Sequence, residues 1–87
     1  MALVYQKAAE SYCKQTCLIE RANNVELSNG PCLGDPVPNV TDWACDVAHD
    51  PRTDADNNPT NQCQTYISGQ ATHFVEIDTN CNVIRSQ

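Results

Sequence analysis

Six cysteines lie along an 87-residue chain at positions 13, 17, 32, 45, 63 and 81, and nothing else in the sequence restricts the fold as tightly. Cytosolic thiols at this density usually come as metal-binding doublets. An even number at wide, irregular spacing reads instead as a disulfide framework made in an oxidising compartment. Cys13, Cys17, Cys32, Cys45, Cys63 and Cys81 are therefore expected in three intramolecular bridges, with no thiol left over. A single domain of residues 1–87 stands near the lower limit for a self-sufficient apolar core. Only one Phe, one Trp and three Tyr are available to fill it. Bridges worth about 3 kcal/mol each, through restriction of the unfolded chain, offset that shortage.

The first segment has helical period. Leu3, Val4, Ala8, Tyr12, Cys13, Ile19 and Ala22 recur mostly at spacings of three and four, with Lys7, Glu10, Lys14, Gln15 and Arg21 between them. The pattern predicts one amphipathic helix over residues 3–23, stopped by Asn23-Asn24, since Asn suits a left-handed cap. Cys13 and Cys17, at i and i+4, share a face with roughly parallel side-chain vectors, which favours two separate partners over a mutual bridge.

Residues 28–42, with three prolines and two glycines, read as an irregular connection held by Cys32. Trp43, Cys45 and Val47 alternate along a short strand over 43–48. A polar loop over 49–58 leads to a short helix with Asn58 at its N-cap, Pro59 at its first position and Gly69 at its stop. Residues 72–78 and 81–85 form two strands around a Thr79-Asn80 turn. The fold class is α+β: a long N-terminal helix packed on a small antiparallel sheet and stapled by disulfides. Six cysteines allow fifteen pairings. The set expected is Cys17–Cys32, closing the loop after the helix, with Cys45–Cys63 and Cys13–Cys81.

Net charge is −6, eleven acids against five basic residues, and no basic patch is visible. Nucleic acid is thereby excluded as a partner, since its phosphates need a positive surface, and anionic membranes are excluded likewise. No segment is apolar and long enough to span a bilayer, and no signal peptide is visible. Residues 2–5 read either as the end of a longer apolar helix whose upstream anchor is missing, or as the start of a mature secreted chain. Membrane attachment would come only through that missing anchor. The localisation expected is extracellular or cell-surface.

Zinc sites present close Cys pairs, and here the one close pair is C-x3-C on a helix. Calcium is the better metal candidate. Asp50, Asp54, Asp56 and Asn58, with Asn57 beside them, concentrate oxygen ligands in one loop. The EF-hand template fails there: Pro59 stands where Gly is needed and Thr65 where a bidentate Glu is needed. The competing reading is a solvated turn that caps the next helix. Catalysis finds little support. His49 beside Asp50 and His73 near Glu76 are the available bases, paired cysteines leave no nucleophilic thiol, and no motif of nucleophilic or phosphate chemistry is present. The chain is expected to be non-enzymatic. Asn39-Val40-Thr41 is a glycosylation sequon, with Asn39 as acceptor.

An amphipathic N-terminal helix, a variable loop, a small sheet and the late cysteines Cys63 and Cys81 make the layout similar to the soluble part of a type IV pilin-like protein. The Cys-Asp-Val-Ala-His stretch at 45–49 and the run from His73 to Asn82 also resemble small archaeal surface proteins. The resemblance implies an anchoring helix upstream and self-association into a filament, or docking on a surface protein. Six cysteines exceed the usual pilin count, and the processing site would lie outside the sequence. The leading expectation is a non-catalytic structural or interaction domain. Its alternatives are a calcium-binding secreted module using loop 50–58, and a secreted binding module or inhibitor.

Overall fold

A computed structural model describes residues 2–49, 51–58 and 61–87 of the chain. Helix α1 spans Ala2–Ala22, close to the expected bounds. It buries Ala9, Cys13 and Cys17, one residue per turn on a single face. Its end is the expected left-handed Asn: Asn24 has φ 62°, its N–H bonds the Arg21 carbonyl, and the Val25 N–H reaches back to Glu20. Those two bonds form a Schellman stop, which turns the chain toward the buried Leu27.

Four strands follow: β1 (Cys32–Gly34), β2 (Trp43–Val47), β3 (His73–Ile77) and β4 (Val83–Ser86), in sheet order β1-β2-β3-β4. A 3-10 turn (Asp54–Asn57) and a one-turn helix α2 (Gln64–Ile67) lie between β2 and β3. The sheet is mixed, not antiparallel as expected. β1–β2 and β3–β4 run antiparallel, but β2 and β3 run parallel, with Cys45 opposite Val75 and Asp46 opposite Glu76. A parallel pair requires a crossover of about a dozen residues or more, and residues 48–72 are long enough to provide it.

Alternation along β2 and β3 divides the side chains between two faces. Trp43, Cys45, Val47, Val75 and Ile77 join Ala9, Cys13 and Cys17 in the main core under α1. Ala44 joins Cys63 and Ala71 in a smaller cluster on the far side, with Cys32 packed against it. Trp43 stacks on His73, its parallel partner in register, at 4.7 Å between ring centroids.

Several boundaries differ from expectation for local reasons. β1 falls inside the segment read as irregular, because a three-residue edge strand carries too little period to register. α2 starts at Gln64, with Cys63 in its N-cap position, rather than after Asn58, and Pro59 lies outside the described residues. Its stop is as expected: Gly69 follows the C-cap with φ 84°. The β3–β4 connection is longer than two residues. The Asp78 carboxylate accepts the N–H groups of Asn80 and Asn82, each at 2.9 Å, and this side-chain turn holds Cys81 out of β4 at φ 68°.

All six cysteines are bridged, but none of the expected pairs forms. The bonds are Cys13–Cys45, Cys17–Cys81 and Cys32–Cys63, with Cα separations of 5.6, 5.6 and 5.0 Å. Cys13 and Cys17 do take separate partners. α1 lies along the sheet, so Cys13 meets the middle of β2 and Cys17, one turn on, meets the turn after β3. Cys32 lies opposite Asp46 in register and shares its face, away from α1, where Cys63 waits. Three bridges with no thiol over are what an oxidising, extracellular environment produces. Among the described residues, no helix is long and apolar enough to cross a membrane.

Mass spectrometry of unreduced proteolytic fragments is expected to recover these three pairs. Replacing both Cys17 and Cys81 by Ser should cost about 4 kcal/mol in denaturant unfolding, because that bridge closes the longest loop, 64 residues. A loss below that of a Cys32→Ser, Cys63→Ser variant would contradict the loop assignment.

Candidate functional site

The face of the sheet turned from α1 carries Ala44 and Asp46 on β2, and Phe74 and Glu76 on β3. Arg52 and Gln62 of the crossover, with Cys63 and Tyr66 around α2, close over them to leave a cavity of about 130 Å³. Tyr66 meets Phe74 edge to face at 5.1 Å on its apolar side. Its polar side is a charged cluster. Buried Glu76 sits between two arginines, with one carboxylate oxygen 2.5 Å from Arg52 Nη1 and the other 3.0 Å from Arg85 Nε. The second guanidinium nitrogen of Arg52 donates to the Asp56 carbonyl and to the Asn57 side chain, both at 3.2 Å. Arg52 therefore has little left to offer a ligand.

Asp46 stands beside Glu76 in the parallel register, with no arginine of its own. Its Oδ1 is sealed from solvent and has no hydrogen-bond partner. Burial, reinforced by the charge of Glu76, pushes its carboxyl up to about 8, so at neutral pH Asp46 is a carboxylic acid. The cluster thus balances one carboxylate against two guanidinium groups on Glu76, with Asp56 supplying a further negative charge.

Asp56 is itself almost wholly buried. One oxygen accepts the backbone N–H of His49 at 2.8 Å and of Thr53 at 3.0 Å, while the other faces His49 Nδ1 at 2.9 Å. Burial opposes its charge, but these donors overcome that and hold its carboxyl below the usual aspartate range. Gly30, at φ 69°, makes room for it: a Cβ there would stand 2.7 Å from Asp56 Oδ1 and 2.8 Å from the Val47 carbonyl. Of the four residues read as calcium ligands, Asp56 thus turns inward onto backbone donors. Asp54 and Asn58 are exposed, and Asp50 lies outside the described residues. The one described grouping with ligand spacing, Cys32, Asp35 and Cys63, consists of a disulfide beside an aspartate that caps α2 through Thr65, so it offers no thiolate. Asn39 is exposed in a turn at φ 64°, where a glycan is accessible.

The outward face of α1 is the other feature without an internal role. Val4, Ala8, Ser11, Gln15, Leu18 and Ala22 are all exposed, and they follow one another at alternating spacings of four and three. That is the seam period of a helix packed against another helix. Leu3, Val4, Leu18 and Ile19 are each more than half exposed on this side. Ala8 and Ser11 between them are small enough to allow close approach of a second backbone. Comparison with protein-family models, with curated proteins and with solved structures found no match to this chain.

The cluster around Glu76 was not anticipated from sequence. Its signal is the placement of Asp46 and Glu76 at polar positions of two otherwise apolar alternating strands. Only the parallel register shows that the two meet.

The pH dependence of folding follows from Asp46. An unfolded aspartate loses its proton near about pH 3.9, whereas folded Asp46 keeps it up to about 8. Between those values folding takes up a proton, so stability is full below the window and falls as pH rises through it, by at most about 1.4 kcal/mol per pH unit. Asp56 acts in the opposite sense: its contribution is present above the unfolded value and lost on acidification. Thermal melts of Asp46→Asn should lack most of the decline from about pH 5 to about pH 8 that the wild-type protein shows. Parallel curves for the two proteins would remove Asp46 as its source.

Proposed function

We propose that this chain is a non-catalytic extracytoplasmic domain with a structural or interaction role, of the kind found in surface assemblies and pilin-like subunits. It works by packing the outward face of α1 against another helix. The observation that carries this reading is the exposed seam from Val4 to Ala22 on a helix whose opposite face is bonded to β2 and to the turn after β3. A helix held by its inner face alone has no stability reason to keep Leu3, Val4, Leu18 and Ile19 in water. Apolar side chains in an exposed row mark contact surfaces. One bridge from α1 to β2 and one to the turn after β3 keep that row rigid, which lowers the ordering cost of association.

A photo-crosslinking amino acid at Ser11, in cells that make the protein, tests this reading. It should yield one discrete adduct that Leu18→Glu removes, while the same group at Asn57, exposed on the crossover, should yield none. Absence of an adduct at Ser11, or an equal one at Asn57, would end the proposal.

A further inference from the structure

The charges beside the seam say what kind of helix fits it. Lys7, Lys14 and Arg21 are exposed, stand one residue before Ala8, Gln15 and Ala22, and repeat every seven residues along one edge of α1. Each is an edge position from which a coiled-coil helix reaches its neighbour. They make no ion pair among the described residues, while the other two basic side chains, Arg52 and Arg85, are tied to Glu76. In a chain of net charge −6, every Lys and Arg without an ion pair among the described residues therefore lies in one file. The opposite edge of the seam carries Tyr5, Tyr12 and Ile19, with no charge.

Resting on the packing role proposed above, we infer that the partner of α1 is an amphipathic helix with Asp or Glu at about every seventh residue along the edge that faces Lys7, Lys14 and Arg21. A second copy of α1 fits less well. Run parallel, it sets Lys7 against Tyr12 and Lys14 against Ile19. Run antiparallel, it sets Lys7 against Arg21 and Lys14 against Lys14. Neither arrangement supplies an acid, because Glu10 and Glu20 of α1 lie away from the seam edges, half-buried on the sheet side. An anionic bilayer would meet the same cations, but it needs an apolar wedge, and the middle of the seam is Ala8, Ser11 and Gln15. The small side chains of Ala8 and Ser11 there suit a helix axis at about 8–10 Å. The partner supplies the negative charge the file lacks, and pairing is local enough to outweigh the domain's net repulsion within about one Debye length.

The test uses the intact oxidised domain and two synthetic helical peptides of about three heptads, with Leu and Ala along the seam and either Glu or Lys at both flanking positions. Binding is read by titration calorimetry at low salt. The Glu peptide should bind on the order of tenfold more tightly than the Lys peptide, the sum of three exposed ion pairs. The Lys7→Glu, Lys14→Glu, Arg21→Glu variant should reverse that preference while staying folded with a cooperative melt, since all three positions are exposed, although an acid in the last helical turn lowers its melting temperature. Equal binding of both peptides, or no reversal in the variant, overturns the inference. So does tighter association of the domain with itself in sedimentation equilibrium, or with phosphatidylglycerol vesicles. If the Ser11 adduct forms but the Glu peptide shows no preference, the acidic partner is wrong and the packing role survives. If neither is seen, both fall.

Discussion

One turn of α1 determines the arrangement of everything else. Cys13 and Cys17 stand about 6 Å apart along the helix axis. Their bonds go to the centre of β2 and to the turn after β3, so two distant parts of the chain are fixed against one helical turn. The separations bridged are 32 and 64 residues, and the longer loop removes the most entropy from the unfolded chain. The third bond, Cys32–Cys63, does on the far face what the first two do under α1: it ties edge strand β1 to the start of α2. With so few aromatic side chains, the apolar core is built largely of Val and the disulfide-bonded cysteines themselves. The bridges are packing material as well as staples.

This arrangement leaves the second face of the sheet short of apolar cover. Among the described residues, only Ala44, Cys63 and Ala71 form a buried cluster there, and the crossover covers the rest with charge. Glu76 is held between two arginines, and Asp56 is held by backbone N–H groups against Gly30. Removing the arginines would leave Glu76 as an uncompensated buried charge. Asp46 is the exception, a carboxyl beside Glu76 with one oxygen unpartnered. It avoids that cost by staying protonated, and so the stability of this face depends on pH.

Sequence reasoning reached what is local. The period of α1, its stop at Asn24, the alternation of Trp43, Cys45 and Val47, and the completeness of cysteine pairing all follow from residue types and short spacings. It failed where the answer depends on how elements are laid together. Loop closure favours a bridge from Cys17 to Cys32. The direction of α1 across the sheet instead brings Cys81 within reach and puts Cys32 on the opposite face. The parallel pairing of β2 and β3 was missed for the same reason, and with it the meeting of Asp46 and Glu76. The acidic loop was legible as a concentration of oxygens, but not in its orientation: Asp56 faces in, and Asp54 faces out.

Placement of the few cations completes the argument. Two of five, Arg52 and Arg85, compensate a buried glutamate and cannot leave it without exposing the cost of that burial. The other three have no such internal task, yet they are not scattered over an acidic surface where they would relieve most repulsion. They repeat at period seven beside an exposed seam of period three and four, on the helix that the disulfides hold most rigidly. Folding gives a reason for Arg21 alone, which lies in the last helical turn where a cation suits the helix dipole, and none for the shared register, since none of the three is ion-paired to a described acid. A neighbour with the same period does give one, because each heptad then brings one cation and one seam residue to bear together. The domain is thus divided by its sheet into a face whose charges serve its own stability and a face whose charges are directed outward.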